Sequence, residues 1–93
     1  MPYALEFTDI AAEDIENLVL DLPWTRREKA LDAIQASCEA FAKRPQFRTR
    51  PYGAPSFALE FKVSGVTYWW AATYRLSEDE TTIYITHVFR RPL

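Results

Sequence analysis

The sequence predicts an α+β fold: an antiparallel four-stranded sheet with an N-terminal helical hairpin on one face, in the order β-α-α-β-β-β. Three observations lead to it. Apolar residues alternate strictly from Phe57 to Val63, Ser64-Gly65 intervenes, and a second strand-like run begins at Val66. The first half of the chain instead carries two stretches of helical periodicity separated by Pro23. Ahead of both, Tyr3, Leu5 and Phe7 alternate with Ala4 and Glu6 as a short first strand.

Each element has a local cause. Thr8 or Asp9 can cap the first helix, and Asp9, Glu13 and Asp14 suit the positive end of its dipole. Ile10, Ala11, Ile15, Leu18, Val19 and Leu22 share one stripe, and Pro23 ends the helix. Thr25-Arg-Arg-Glu28 has the spacing of a capping box, so a second helix is expected from there to about Lys43. Its buried stripe is Leu31, Ile34, Cys38 and Phe41, with Trp24 a packing plug in the joint and Cys38 a small buried hydrophobe. Leu31 and Ile34 are expected in one core with Phe61 and Trp70.

A two-residue turn at Ser64-Gly65 dictates the register that follows. Val63 faces Val66, Phe61 faces Tyr68 and Leu59 faces Trp70, while Lys62 sits beside Thr67 and Glu60 beside Trp69 on the other face. After the acidic turn Ser77-Glu-Asp-Glu80, residues Thr81 to Phe89 add a last antiparallel strand. The polar face of this meander then carries Glu60, Lys62, Thr67, Trp69, Thr73, Arg75, Tyr84 and Thr86. Simple alternation puts His87 on the opposite, buried face with Ile83, Ile85 and Phe89, unless a bulge turns it outward.

Ninety-three residues suit a single domain, 1–93, and 48% apolar content is ample for its core. No run approaches the roughly 20 apolar residues of a membrane span, the start lacks a signal-peptide pattern, and one Cys forms no internal disulfide, so the cytoplasm is the expected location. The net charge of −2 hides a split. Residues 1–21 hold six acids and no Lys or Arg, whereas residues 43–75 hold six basic residues against Glu60 alone. That arrangement can attract phosphate to one side of a mildly acidic molecule. Arg48 and Arg50, in the proline-rich connector 44–56, and Arg75 on the sheet are candidate substrate-binding cations, and the connector reads as a phosphate-facing flap.

One His and one Cys leave no zinc site of the usual spacing, and no P-loop, dinucleotide turn or Gly-x-Ser-x-Gly elbow is present, so no metal or cofactor is expected. Glu60 has no second acid beside it on its own face, which argues against a glycosidase pair.

The opening Tyr3-Ala-Leu-Glu-Phe-Thr-Asp-Ile-Ala11, the strand Phe57-Ala-Leu-Glu-Phe-Lys62 with its Ser64-Gly65 turn, and the ending Ile85-Thr-His87-Val-Phe89-Arg90-Arg91 together resemble the RelE/ParE superfamily of toxins from toxin–antitoxin pairs. The second and third stretches resemble the strand and C-terminal patterns of HigB-type members. The resemblance implies a toxin that inhibits translation as a ribosome-dependent mRNA interferase, an endoribonuclease in which a 2′-hydroxyl attacks the adjacent phosphate. Such a reaction needs a proton acceptor, a proton donor and cations around the phosphate. Carried over by position, Arg91 or Arg90 is the C-terminal cation, Lys62 the basic residue of the second strand, Glu60 its acid and His87 the histidine before the aromatic. Trp69 offers a face on which an unpaired base can stack. The implied partners are a cognate antitoxin protein and mRNA on the ribosome. Thr67 or Trp69 stands where members carry a third-strand Arg, and this keeps an alternative open: a non-catalytic binder, either a ParE-type inhibitor of DNA gyrase or an antitoxin-binding remnant. A core histidine and a frayed, charged terminus are the structural alternatives for His87 and for Arg90-Arg91.

Overall fold

The computed structural model describes residues 3–45 and 55–91. Its elements are β1 (Ala4–Phe7), α1 (Asp9–Leu20), α2 (Trp24–Lys43), β2 (Ser56–Val63), β3 (Val66–Leu76) and β4 (Thr82–Arg90). The four strands form one sheet in the order β1-β4-β3-β2. The sheet is mixed, not wholly antiparallel as the sequence led one to expect. β2, β3 and β4 form the antiparallel meander, but β1 runs parallel to β4, pairing Ala4 with Thr82 through Phe7 with Ile85. A meander makes β2 and β4 point the same way. The direction of β1 depends on which end of the sheet the chain regains after the two helices and the connector. Nothing local in Tyr3–Phe7 encodes that. Both helices lie on one face, α1 over β4 and α2 over β2.

Local chemistry accounts for most boundaries. Thr8 is the N-cap of α1, its hydroxyl accepting the Ala11 N–H at 3.2 Å. The capping box at Thr25–Glu28 does not form. α2 begins at Trp24 with Pro23 as N-cap and no side-chain cap, because Pro23 already supplies a φ of −52° and a carbonyl that accepts the Arg26 N–H at 2.8 Å. The buried stripe of α2 is Ala30, Ile34, Cys38 and Ala42. Leu31 is therefore displaced from the expected core. It lies one position, about 100° of turn, round from Ala30 and is 45% exposed. Trp24 is no packing plug either, being 78% exposed. Phe61, Trp70 and Ile34 do lie in the core, with Leu59, Ile83 and Ile85 fully buried beside them. Phe41 and Phe57 stack at 4.0 Å between ring centroids and so tie α2 to β2.

The β2–β3 turn takes positive φ at Ser64 (50°) and Gly65 (80°), as a primed two-residue hairpin requires. The register is the one that turn dictates, from Val63 opposite Val66 to Glu60 opposite Trp69. β4 departs from regularity. Thr73 pairs with His87 but the next residue, Tyr74, pairs with Ile85, so Thr86 is an extra residue and the strand is bulged. β1 ends opposite Ile85, and the start of α1 satisfies the backbone beyond it. Thr8 Oγ1 donates to the Thr86 carbonyl at 3.2 Å, and the Val88 N–H donates to Asp14 Oδ2 at 3.1 Å. The bulge reverses the alternation after Ile85: Val88 is buried, while His87 and Phe89 are exposed.

Candidate functional site

With both helices on one face, the described residues leave the other face of the sheet open, and its composition follows from the register. Successive rows across β2, β3 and β4 are Glu60–Trp69–Arg91, Ala58–Ala71–Phe89 and Ser56–Thr73–His87, with Lys62 and Thr67 completing one end. The row that brings chemistry together is the first. Arg91 continues the ladder beyond β4, its backbone N–H donating to the Trp69 carbonyl at 3.0 Å. Its guanidinium Nη1 donates to Glu60 Oε1 at 3.1 Å, and the guanidinium carbon lies 6.0 Å from the centroid of the Trp69 ring. Lys62, exposed and two residues along β2 from Glu60, adds a second cation on the same face. A shallow cleft of about 320 Å³ at this end of the sheet opens toward the helix-covered side, lined by Leu22, Tyr68, Trp70 and Arg90 together with Thr67, Trp69 and Arg91.

The remaining candidates go elsewhere. Arg90 opposes Trp70, on the helix-covered face, and its Nη2 donates to Asp21 Oδ2 at 2.9 Å just past the end of α1. The two adjacent arginines thus serve opposite sides of the sheet. His87 is exposed, with Nδ1 3.6 Å from Asp14 Oδ2; of the two placements the sequence left open, the bulge gives the outward one. Four residues of strand separate it from Arg91, roughly 13 Å. Arg75 lies six residues from Trp69 along β3, roughly 20 Å. Its guanidinium stacks over Tyr84 at 4.2 Å, beside the acidic turn that holds Glu78 and Asp79. That turn is tightly bonded: Asp79 accepts from the Ser77 hydroxyl and from the N–H and hydroxyl of Thr81, and these bonds hold its carboxyl below the ordinary value of 3.8. Arg48 and Arg50 lie outside the described residues.

Two functional candidates escape sequence reasoning. Phe89 looks like core by alternation, yet it stands on the open face beside Ala71. Asp14 looks like a helix-dipole residue, yet it accepts the Val88 N–H and sits against His87. Neither has a local signal, because both depend on the one-residue bulge. Cys38 offers no reactive thiol, since burial, with a smaller contribution from Glu39, pushes its pKa up to about 12. Among the described residues no cluster of three or more His, Cys, Asp or Glu side chains is placed to hold a metal ion, and no helix is long and apolar enough to cross a membrane.

The fold, an N-terminal strand, a helical pair and a three-stranded meander, is similar to that of solved RelE and RelBE structures. It is similar to a chain of the toxin–antitoxin complex RelBE2 from Mycobacterium tuberculosis, with a TM-score of 0.62 and 21% identity over 98% of this chain and 100% of the other. A mutant of the E. coli toxin RelE in the free state gives a TM-score of 0.59 and 15% identity over 97% of this chain and 84% of that one. The intact E. coli RelBE toxin–antitoxin complex gives 0.54 and 14% over 98% and 99%. At these identities the likeness defines the fold. No protein-family model and no curated protein matches the sequence.

Proposed function

We propose that this protein is the toxin of a toxin–antitoxin pair, that residues 1–93 act as one domain in the cytoplasm, and that it inhibits translation by cleaving mRNA on the ribosome. The observation that carries the proposal is the row Glu60–Trp69–Arg91 with Lys62 beside it, on the open face of a RelE-like sheet. An acid, two cations and an aromatic ring share that end of the face. In this reading Glu60 takes the proton of a 2′-hydroxyl, whose oxygen attacks the adjacent phosphorus. A P–O2′ bond forms and the P–O5′ bond breaks, leaving a cyclic phosphate and a 5′-hydroxyl whose proton comes from the Lys62 ammonium. Arg91 stabilises the charge that accumulates on the non-bridging oxygens, the type of interaction that dominates such reactions. Its salt bridge to Glu60 orients both groups before substrate arrives. The solved relatives in toxin–antitoxin complexes support a cognate antitoxin as the protein partner.

A specific observation favours a second reading, in which the protein binds without cutting. His87 is held against Asp14 and does not join the Glu60–Arg91 row. A non-catalytic toxin directed at DNA gyrase, or a fold that only engages its antitoxin, needs no proton donor at that row. Induced expression followed by primer-extension mapping of cellular mRNA separates the two. New 5′ ends within translated codons, lost in Glu60→Gln, are the expected result. Growth arrest with intact mRNA would reject cleavage and leave the gyrase-directed reading.

A further inference from the structure

We propose that Trp69 and Phe89 form a two-ring platform on which two unpaired bases of a single-stranded RNA stack, with Arg91 and Lys62 taking the flanking phosphates. The inference rests on reading the open sheet face as an RNA site, and it names the structural feature of RNA which that face selects. Trp69 and Phe89 are 46% and 40% exposed. They share one face: Trp69 opposes Arg91 and Phe89 opposes Ala71, so the rings are diagonal neighbours with backbones roughly 7–8 Å apart. Between them the sheet offers only small side chains, Ala71 on β3 and Ala58 on β2. Two large rings held outward beside a floor of methyl groups form an apolar surface that water wets poorly.

Charge selects the occupant. Arg91 and Lys62 flank the rings, and the only acid in these rows, Glu60, is paired with Arg91. Of the other acids, Asp9, Glu13 and Glu16 belong to α1 on the far side of the sheet, Glu6 lies on the edge strand β1 opposite Tyr84, and Asp14 is engaged by the Val88 N–H and His87. A polyanion with exposed π faces fits this combination, and unpaired bases splayed on sheet aromatics are an established mode of single-strand recognition. A paired helix cannot use it, because its bases are stacked on one another. Maintaining Phe89 outward requires the Thr86 bulge, which is itself bonded by Thr8 and by the Thr73 hydroxyl at 2.6 Å. Each stacked base should depend on its own ring, and the platform should tolerate any base identity.

Titration of fluorescently labelled hexariboadenylate, without ribosomes, tests this directly, with an abasic ribose-phosphate hexamer of equal charge as comparison. Wild type should bind the base-bearing hexamer far more tightly than the abasic one. Trp69→Ala and Phe89→Ala should each weaken binding by about 5- to 150-fold, the range for loss of one base–aromatic stack, and Phe89→Tyr should retain it. Because both side chains are exposed, the variants should fold as wild type does. Phe89→Ala binding within twofold of wild type, or equal affinity for the abasic hexamer, overturns the platform and leaves the rings for a protein partner. Ring-dependent binding by a protein that cuts no mRNA would reject the nuclease reading while the platform stands. Ring-independent binding by a protein that does cut mRNA would reject the platform alone.

Discussion

Arg90 and Arg91 are adjacent in sequence and alike in chemistry, and the structure assigns them different work. Each makes a surface ion pair. The Arg91–Glu60 side chains are 38% and 51% exposed and the Arg90–Asp21 side chains 58% and 65%, so each pair contributes only about 0.2–1 kcal/mol after screening. Arg90→Ala and Arg91→Ala should therefore lower stability to a similar, small extent, at most a shift of about 4–8 °C in Tm for a chain of this size. Their effects on cleavage should diverge. Removing one preorganised donor from the developing charge costs about 10²–10³ in rate, and Arg91 alone of the two faces the Glu60–Lys62 row. Arg91→Lys should recover part of that loss, since Lys supplies charge but not the planar fork. The assay is single-turnover cleavage of a programmed ribosomal complex, read by primer extension, with urea denaturation of the same samples. Cleavage abolished by Arg90→Ala and spared by Arg91→Ala would refute the assignment of the open face. A Tm collapse in Arg91→Ala would mean that the residue is structural.

Other expected outcomes concern His87, the face of α2 that packs, and Cys38. His87→Gln should change stability by less than about 0.5 kcal/mol, because the side chain is exposed, and should leave cleavage intact. A loss of ~10²–10⁴-fold would instead make His87 a general acid or base. In urea denaturation Ile34→Ala should cost about 2–5 kcal/mol and Leu31→Ala about 1 kcal/mol or less; equal costs would contradict the orientation assigned to α2. Native Cys38 should resist iodoacetamide at pH 8 and react readily in urea, since its thiol pKa is pushed up to about 12 by burial. The same shift has a signed consequence: stability is unaffected by this group below the ordinary value of 9.0 and falls as pH rises from there toward about 12, where only the unfolded thiol ionises. Alkaline denaturation of Cys38→Ala beside wild type measures that contribution.

The β2–β3 hairpin was legible residue by residue. Gly65 and strict alternation from Phe57 to Val63 are local signals, and a two-residue turn permits only one register. The Thr8 cap and the end of α2 at Lys43 were local in the same sense. Other features were decided by partners distant in the chain. β1 could be read as a strand, but its parallel pairing to β4 depends on how the helices and connector return the chain. The face of α2 that packs is set by the fit of Ala30, Ile34, Cys38 and Ala42 to the sheet, and Leu31, the larger apolar residue, is turned outward by that choice. The candidate site was half legible. Glu60, Lys62 and Trp69 fell on one face by alternation, but alternation is only a reading of side-chain direction while the ladder is unbroken. A single extra residue at Thr86 reverses it. That residue is stabilised by hydrogen bonds with Thr8 and Thr73, and the backbone at Val88 by Asp14, groups 78, 13 and 74 positions away along the chain. So residue types and periodicity sufficed for the elements and the chemistry available to them. Only the tertiary structure decided that Phe89 and Arg91 face outward while Val88 and Arg90 face the helices, because the bonds that settle the bulge join segments that meet only in the folded chain.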